Sequence, residues 1–145
     1  MNKDILHQAI GLLSRREHSL KELRQKLSQR GYELAEINEV LTFLVAENYQ
    51  SEVRAAESIF RNRVSRGYGW LYIKNELKQK GVSSDIRYSI YQEQDVDWYQ
   101  QVAATYHKKY ADTEVIDHKD KAKRMRFLQY RGFSIDEILS VLNAN

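Results

Sequence analysis

Residues 52–81, EVRAAESIFRNRVSRGYGWLYIKNELKQKG, carry the pattern that decides the fold. Apolar side chains recur at helical spacing in two parts of this stretch, from Val53 to Val64 and from Leu71 to Leu77. The two parts are separated by Gly67-Tyr68-Gly69, and closely spaced glycines mark a tight turn. The stretch therefore predicts two helices joined by a short turn, a helical hairpin.

The predicted hairpin is basic. Between residues 54 and 80 the chain has seven Lys or Arg residues against two acids, Glu57 and Glu76. A surface with this excess of positive charge suits a phosphate backbone or an acidic groove on a protein. The alternative is the ordinary solvated face of a helix, on which Glu57 and Glu76 hold some of the basic residues in surface ion pairs.

Composition limits what the chain can be. Its 145 residues include no proline, no cysteine and six glycines, which predicts long helices, one domain or a short array of small repeats, and no disulfide. The longest apolar runs are too short to span a membrane, and the residues after Met1 are polar and unlike a signal peptide, so we expect a cytoplasmic protein. The net charge of +3 is concentrated in residues 51–93.

A recurring pattern divides the chain into similar parts. Gly31, Gly81 and Gly132 each follow a leucine by four residues and a basic residue by one, and they are spaced 50 and 51 residues apart. Capping boxes at Ser19 and Ser134 predict the start of the second helix of the first part and of the third helix of the last part. We therefore predict an all-α fold of three tandem three-helix repeats in an elongated, curved array, with boundaries at residues 1–50, 51–93 and 94–145.

The third predicted repeat has two unusual helices. Its middle helix, from Lys119 to Arg131, holds six basic residues, Arg124 among them, against Asp120. Stacked repeats would line such basic helices into an extended surface. The helix before it, from Trp98 to Tyr110, is rich in aromatic residues, which favours packing and leaves a platform for stacking nucleobases as the alternative.

Patterns that indicate catalysis or metal binding are missing from the sequence. The four histidines lack ligand spacing, and we expect surface or helix-end positions for His7, His18, His107 and His118. The acidic residues between Asp112 and Asp120 lack the glycine and terminal glutamate of a calcium loop. With no phosphate-binding loop either, we predict no catalytic residue, metal or cofactor.

The central stretch resembles a known family. The run from Arg61 to Gly69, followed by the run from Ile73 to Val82, is similar to the central repeat of the RecX family. Upstream, Ser51 and Ala55 stand where that family has an acid and an aromatic residue. The resemblance implies an all-α repeat protein that binds the RecA recombinase filament, inhibits its ATP hydrolysis and strand exchange, and catalyses no reaction itself.

On this interpretation the chain is a monomer that regulates recombination and DNA repair. Its partner is the recombinase filament, and direct contact with single- or double-stranded DNA stays open. The rival hypotheses are a basic helical module that binds DNA without a recombinase, in the manner of a helix-turn-helix, and a purely structural adaptor. The predicted interface comprises Arg54, Arg61, Arg63, Arg66, Tyr68, Lys74, Lys78 and Lys80.

Overall fold

The computed structural model describes residues 1–143, and in that part of the chain it has nine α-helices and no strand. The prediction of an all-α fold is therefore confirmed. The division into repeats at residues 1–50, 51–93 and 94–145 stays a prediction, and its last two residues lie outside the described part. The helices are α1 (Lys3–Arg15), α2 (Leu20–Gln29), α3 (Leu34–Ala46), α4 (Glu52–Ser65), α5 (Trp70–Gln79), α6 (Ser84–Gln94), α7 (Trp98–Tyr110), α8 (His118–Tyr130) and α9 (Ile135–Leu142).

Serine hydroxyls cap the starts of four of these helices, α2, α4, α6 and α9. The predicted capping boxes at Ser19 and Ser134 are both formed, each with a glutamate three residues on that returns the hydrogen bond. Ser51 caps α4, because its hydroxyl accepts a hydrogen bond from the Arg54 N–H at 3.2 Å. Ser51 thus satisfies a backbone donor that would otherwise lack a partner at a helix start, although the family pattern has an acid there.

The three repeated glycines end helices. Gly31, Gly81 and Gly132 have φ angles of 93°, 80° and 95°, in the region that glycine enters without steric cost. The residues that follow two of them close the helix ends, since the Val82 N–H donates to the Leu77 oxygen and the Phe133 N–H donates to the Leu128 oxygen. The leucine-to-glycine spacing therefore marks the same type of helix C-terminus at three places in the chain.

Residue contacts group the chain into two compact units, Met1–Ser58 with Leu77–Tyr88, and Ile59–Glu76 with the described residues from Ser89 onward. The boundaries fall inside α4, α5 and α6, so each of these helices contributes residues to both units. In the first unit, apolar side chains of α1, α2 and α3 pack into one core. Its members are Ile5, Ala9, Leu12, Leu23, Leu27, Ile37, Val40, Leu41 and Leu44.

Two apolar clusters lie among the described residues of the second unit. One joins α7, α8 and α9 through Val102, Leu128, Phe133, Ile138 and Leu142. The other is aromatic, with ring centroids 6.0 to 6.3 Å apart among Phe60, Trp70 and Trp98. The packing role predicted for the α7 aromatics is confirmed at buried Trp98, whereas Tyr99 is exposed.

None of the helices in residues 1–143 is both long enough and apolar enough to cross a membrane.

His18 lies directly before the cap of α2, a helix-end position as predicted, but it is buried and only 1% exposed. Its Nδ1 lies 3.1 Å from the Arg16 carbonyl oxygen, and its Nε2 lies 3.0 Å from the Lys26 ammonium. This geometry fits a neutral imidazole that donates through Nδ1 and accepts through Nε2. Burial, more than the nearby Arg16 and Lys26 charges, lowers the pKa of His18 from its usual 6.5.

We expect the stability of the protein to fall as pH drops below the ordinary histidine pKa of 6.5, because the unfolded chain then binds a proton that folded His18 resists. At one pH unit below that value the loss from this group is at most about 1.4 kcal/mol. Urea denaturation over a pH series measures the effect. In a His18→Gln variant the dependence in this range should flatten, and an unchanged dependence would contradict the assignment.

Arg124 corrects one sequence prediction. The sequence predicts that Arg124 contributes to a basic surface on α8, but its side chain is buried, with 4% of the residue exposed. Its guanidinium donates to the Tyr106 hydroxyl at 2.7 Å and to the carbonyl oxygens of Thr113 and Glu114 at 2.9 and 3.1 Å, and it lies 3.1 Å from the Asp120 carboxylate. A buried guanidinium needs such partners to offset its lost hydration, and here they tie residues 113–114 to α8.

An Arg124→Met variant should therefore lose about 2 to 4 kcal/mol of unfolding free energy, since the carboxylate, hydroxyl and carbonyl partners lose their donor together. The matched control is Arg126→Met on the same helix, where the side chain is exposed and the expected change stays within about 0.5 kcal/mol. Urea denaturation of both variants tests the difference. Equal losses would mean that burial of Arg124 contributes nothing particular.

Candidate functional site

The central hairpin is held by an ion pair across its two helices. Arg63 on α4 donates through Nε to one Glu76 carboxylate oxygen at 2.7 Å and through Nη2 to the other at 3.1 Å. Because the charged guanidinium donates these bonds to the Glu76 carboxylate, the pKa of Arg63 is raised above its usual value. Two parallel bonds fix the relative position of the groups, so Arg63 orders the hairpin as well as contributing charge.

Aromatic rings support the turn between the helices. The Tyr68 and Tyr72 rings lie with their centroids 4.3 Å apart. The guanidinium carbons of Arg131 and Arg63 lie 4.7 and 5.6 Å from the Tyr68 ring centroid, within the range of cation–π attraction. Tyr68, predicted as an interface residue, is therefore half-buried between two arginines.

The turn is also joined to the end of α8 through the backbone. The Gly69 N–H donates to the Arg131 oxygen at 2.7 Å, and the Leu71 N–H donates to the Gly132 oxygen at 3.0 Å. The Arg131 guanidinium in turn donates to the Arg66 carbonyl oxygen at 2.8 Å. N–H groups at the start of α5 thus donate to carbonyl oxygens at the end of α8. The bonds satisfy backbone groups that lack a partner within their own helices, and they bring the positive end of one helix dipole to the negative end of the other.

Five of the eight predicted interface residues belong to this hairpin in the second unit. Arg61, Arg66 and Lys74 are exposed there, whereas Arg63 and Tyr68 are half-buried. Within the second unit, the outward positive charge of the hairpin is therefore carried by Arg61, Arg66 at the turn and Lys74 on α5.

The other three belong to the first unit. The guanidinium of Arg54 lies 3.1 Å from the Glu17 carboxylate and donates to both the side chain and the carbonyl oxygen of Asn48. The Lys80 ammonium lies 3.8 Å from the Glu22 carboxylate, and Lys78 is exposed. Arg54 thus holds together the start of α4 and the turn before it.

A basic groove of about 360 Å³ lies beside the Arg66 turn, within the second unit. Lys108 and Lys109 on α7 and Arg131 after α8 line it together with Arg66, and none of the described residues that line it is acidic. From the sequence, Lys108, Lys109 and Arg131 were not predicted as site residues. Two signals were available, the paired lysines in the last turn of α7 and the basic residue before the third repeated glycine.

The fold is that of an all-α protein whose central hairpin exposes positive charge at Arg61, Arg66 and Lys74. Family models match it in three consecutive parts: RecX, first three-helix domain, at residues 6–44; RecX, second three-helix domain, at residues 51–87; and RecX, third three-helix domain, at residues 95–142. The predicted fold class of three-helix units is thus confirmed. The chain belongs to the RecX family.

Relatives and solved structures agree with this membership. Regulatory protein RecX of Vibrio parahaemolyticus is 41% identical over 135 residues, covering 93% of this chain and 87% of that protein. Regulatory protein RecX of Pseudomonas fluorescens is 41% identical over 136 residues, with the same coverage of 93% and 87%. The crystal structure of RecX from Lactobacillus salivarius superposes with a TM-score of 0.73 at 19% identity, covering 99% of this chain and 97% of that one, which shows the shared fold.

Proposed function

We propose that this protein binds the RecA recombinase filament and inhibits its ATP hydrolysis and strand exchange, without catalysing a reaction of its own. The observation that carries the proposal is membership of the RecX family along residues 6–142, whose curated relatives are named regulatory proteins. The RecA partner is the one that the family resemblance implied from the sequence.

The hairpin of α4 and α5 is the proposed contact surface. Its turn is fixed by the Arg63–Glu76 pair and by the backbone hydrogen bonds to Arg131 and Gly132, so Arg66 is presented from a rigid base. A preorganised surface loses less conformational entropy on binding than a mobile one. Exposed Arg66 and Lys74 then offer positive charge to an acidic region of the filament.

ATP turnover by recombinase on long single-stranded DNA tests the proposal. The protein is added to preformed filaments with DNA in excess, so that competition for DNA cannot produce the effect. We expect ATP hydrolysis and strand exchange to fall as the protein is added. No inhibition at any ratio would refute the proposal and favour a module that acts on DNA alone.

The ratio of this protein to recombinase subunits that is needed for inhibition distinguishes two modes of action. Inhibition well below one molecule per recombinase subunit is the expected result if the protein caps a growing filament end. Inhibition only near equal amounts is expected if each molecule occupies a stretch of the filament groove. Sedimentation of the protein with filaments, compared with DNA alone, measures the bound amount directly.

A further inference from the structure

The basic groove of the second unit is built from three parts of the chain. The turn after α4 contributes Arg66, the last turn of α7 contributes Lys108 and Lys109, and the residue after α8 contributes Arg131. The Phe127 ring lines the same groove, with the Lys109 ammonium 4.0 Å from its centroid and the Arg131 guanidinium carbon 5.3 Å from it. Four cations therefore surround one concave space.

Two of these cations are positioned by their surroundings. The Arg131 guanidinium donates to the Arg66 oxygen and lies over the Tyr68 ring, which leaves its remaining N–H groups for a ligand. The Lys109 ammonium lies over Phe127 by cation–π attraction. Positive charge in the groove is thus partly preorganised, which strengthens binding of an anion because less side-chain entropy is lost.

Three backbone carbonyl oxygens that line the groove, those of Val64, Arg66 and Gly67, already accept hydrogen bonds from side chains, while the four cations supply donors. The Gln101 amide donates to the Val64 oxygen at 2.8 Å, and the Thr105 hydroxyl donates to the Gly67 oxygen at 3.0 Å. The Arg66 oxygen accepts from Arg131. An extended acidic peptide brings N–H donors that need acceptors, whereas a phosphodiester strand brings acceptors alone along its backbone.

We propose that this groove binds the phosphodiester backbone of single-stranded DNA, with Arg66, Lys108, Lys109 and Arg131 as the phosphate-contacting residues. A flexible strand can follow a concave groove of this size, and cations beside aromatic rings are the combination that single-strand-binding proteins use. The proposal does not depend on a recombinase partner. It gives the protein a second contact, to the strand itself, beside the hairpin surface proposed for the filament.

Binding of a short fluorescein-labelled oligothymidylate, without recombinase, tests the proposal by fluorescence anisotropy over a range of salt concentrations. Replacing both lysines (Lys108→Gln with Lys109→Gln) removes two phosphate contacts, so we expect affinity to fall at least about tenfold, and the slope of log K against log salt to decrease by about 1.4. Circular dichroism checks that the variant keeps its helices. The matched control is Lys119→Gln with Lys123→Gln, two exposed lysines of α8 outside the groove lining.

Three results would overturn the groove assignment. Equal loss of affinity in the control pair would mean that net charge alone attracts the strand. Unaltered affinity in the groove variant would place the strand elsewhere. Displacement of the oligonucleotide by polyglutamate at a matched charge concentration would favour an acidic protein segment as occupant. If the groove variant loses oligonucleotide binding but still inhibits the filament, the groove assignment is supported. That result would also show that DNA binding in the groove and inhibition of the recombinase are separate functions.

Discussion

A Gly132→Ala variant is expected to lose about 4 kcal/mol or more of unfolding free energy. The residue has a φ of +95°, which by itself costs an alanine about 1 to 2 kcal/mol. An added methyl group would also overlap the backbone nitrogen and Cβ of Tyr72 and lie 2.9 Å from its Cα. Since the Gly132 oxygen accepts the Leu71 N–H at 3.0 Å, relieving the overlap would separate the end of α8 from the start of α5.

Gly31→Ala is the matched control, because Gly31 ends its helix with nearly the same φ, +93°, but a methyl group there would meet no atom within 4 Å. This variant should lose only the backbone cost of about 1 to 2 kcal/mol. Urea denaturation of the two proteins separates strain in the turn from the close approach of two helices. Equal losses would show that the contact between Gly132 and Tyr72 carries no weight.

The second large effect concerns filament binding and rests on the proposed function. Reversing the charge at two exposed positions of the hairpin, Arg66→Glu with Lys74→Glu, should weaken binding to recombinase filaments by about 2 to 4 kcal/mol. The reason is that two attractions to an acidic partner become repulsions. Helicity and the melting temperature should change little, because neither side chain is buried. Sedimentation with preformed filaments measures the affinity.

The control for this experiment reverses the same amount of charge on α8, with Lys123→Glu and Arg126→Glu, both exposed. Filament binding should persist in that variant. Arg66 also lines the groove proposed for DNA, whereas Lys74 does not, so the Lys74→Glu variant tests the hairpin surface alone. This single change must by itself weaken filament binding. If Lys74→Glu binds filaments like the unaltered protein, the hairpin surface is misplaced.

Much of the local structure could be predicted because its signals are local. Glycines 50 and 51 residues apart each end a helix, and the serines of both capping boxes begin one. These features depend on backbone geometry within a few residues. Burial was less predictable even within helices, since Val53 and Leu71 belong to apolar stripes yet are 48% and 52% exposed. Helical spacing shows that residues share a face, while burial depends on what covers that face.

The candidate site shows the same limit. A basic hairpin could be read from the sequence, because charges accumulate between residues 54 and 80. The sequence did not show which of these charges are already paired. Arg54 is held by Glu17, which is 37 residues away, and Arg63 is held by Glu76 across the turn. An arginine held by two or more hydrogen bonds orders the structure around it, so a count of basic residues overstates the charge available to a partner.

By itself, the sequence determined the all-α class, three glycine helix ends, two serine helix starts and the three-part pattern, because these follow from short-range periodicity, caps and glycine conformation; the family followed from the motif in residues 61–82. Only the tertiary structure decided which cations stay available and where they converge. It buried Arg124 against Asp120, paired Arg63 with Glu76, and brought Arg131 beside Arg66, 65 residues earlier in the chain, at one groove. The physical reason is that a buried or clustered charge finds its hydrogen-bond partners on the segments that the packing of apolar faces brings together. That packing joins residues far apart in the chain, so the spacing of residues within one helix does not predict it.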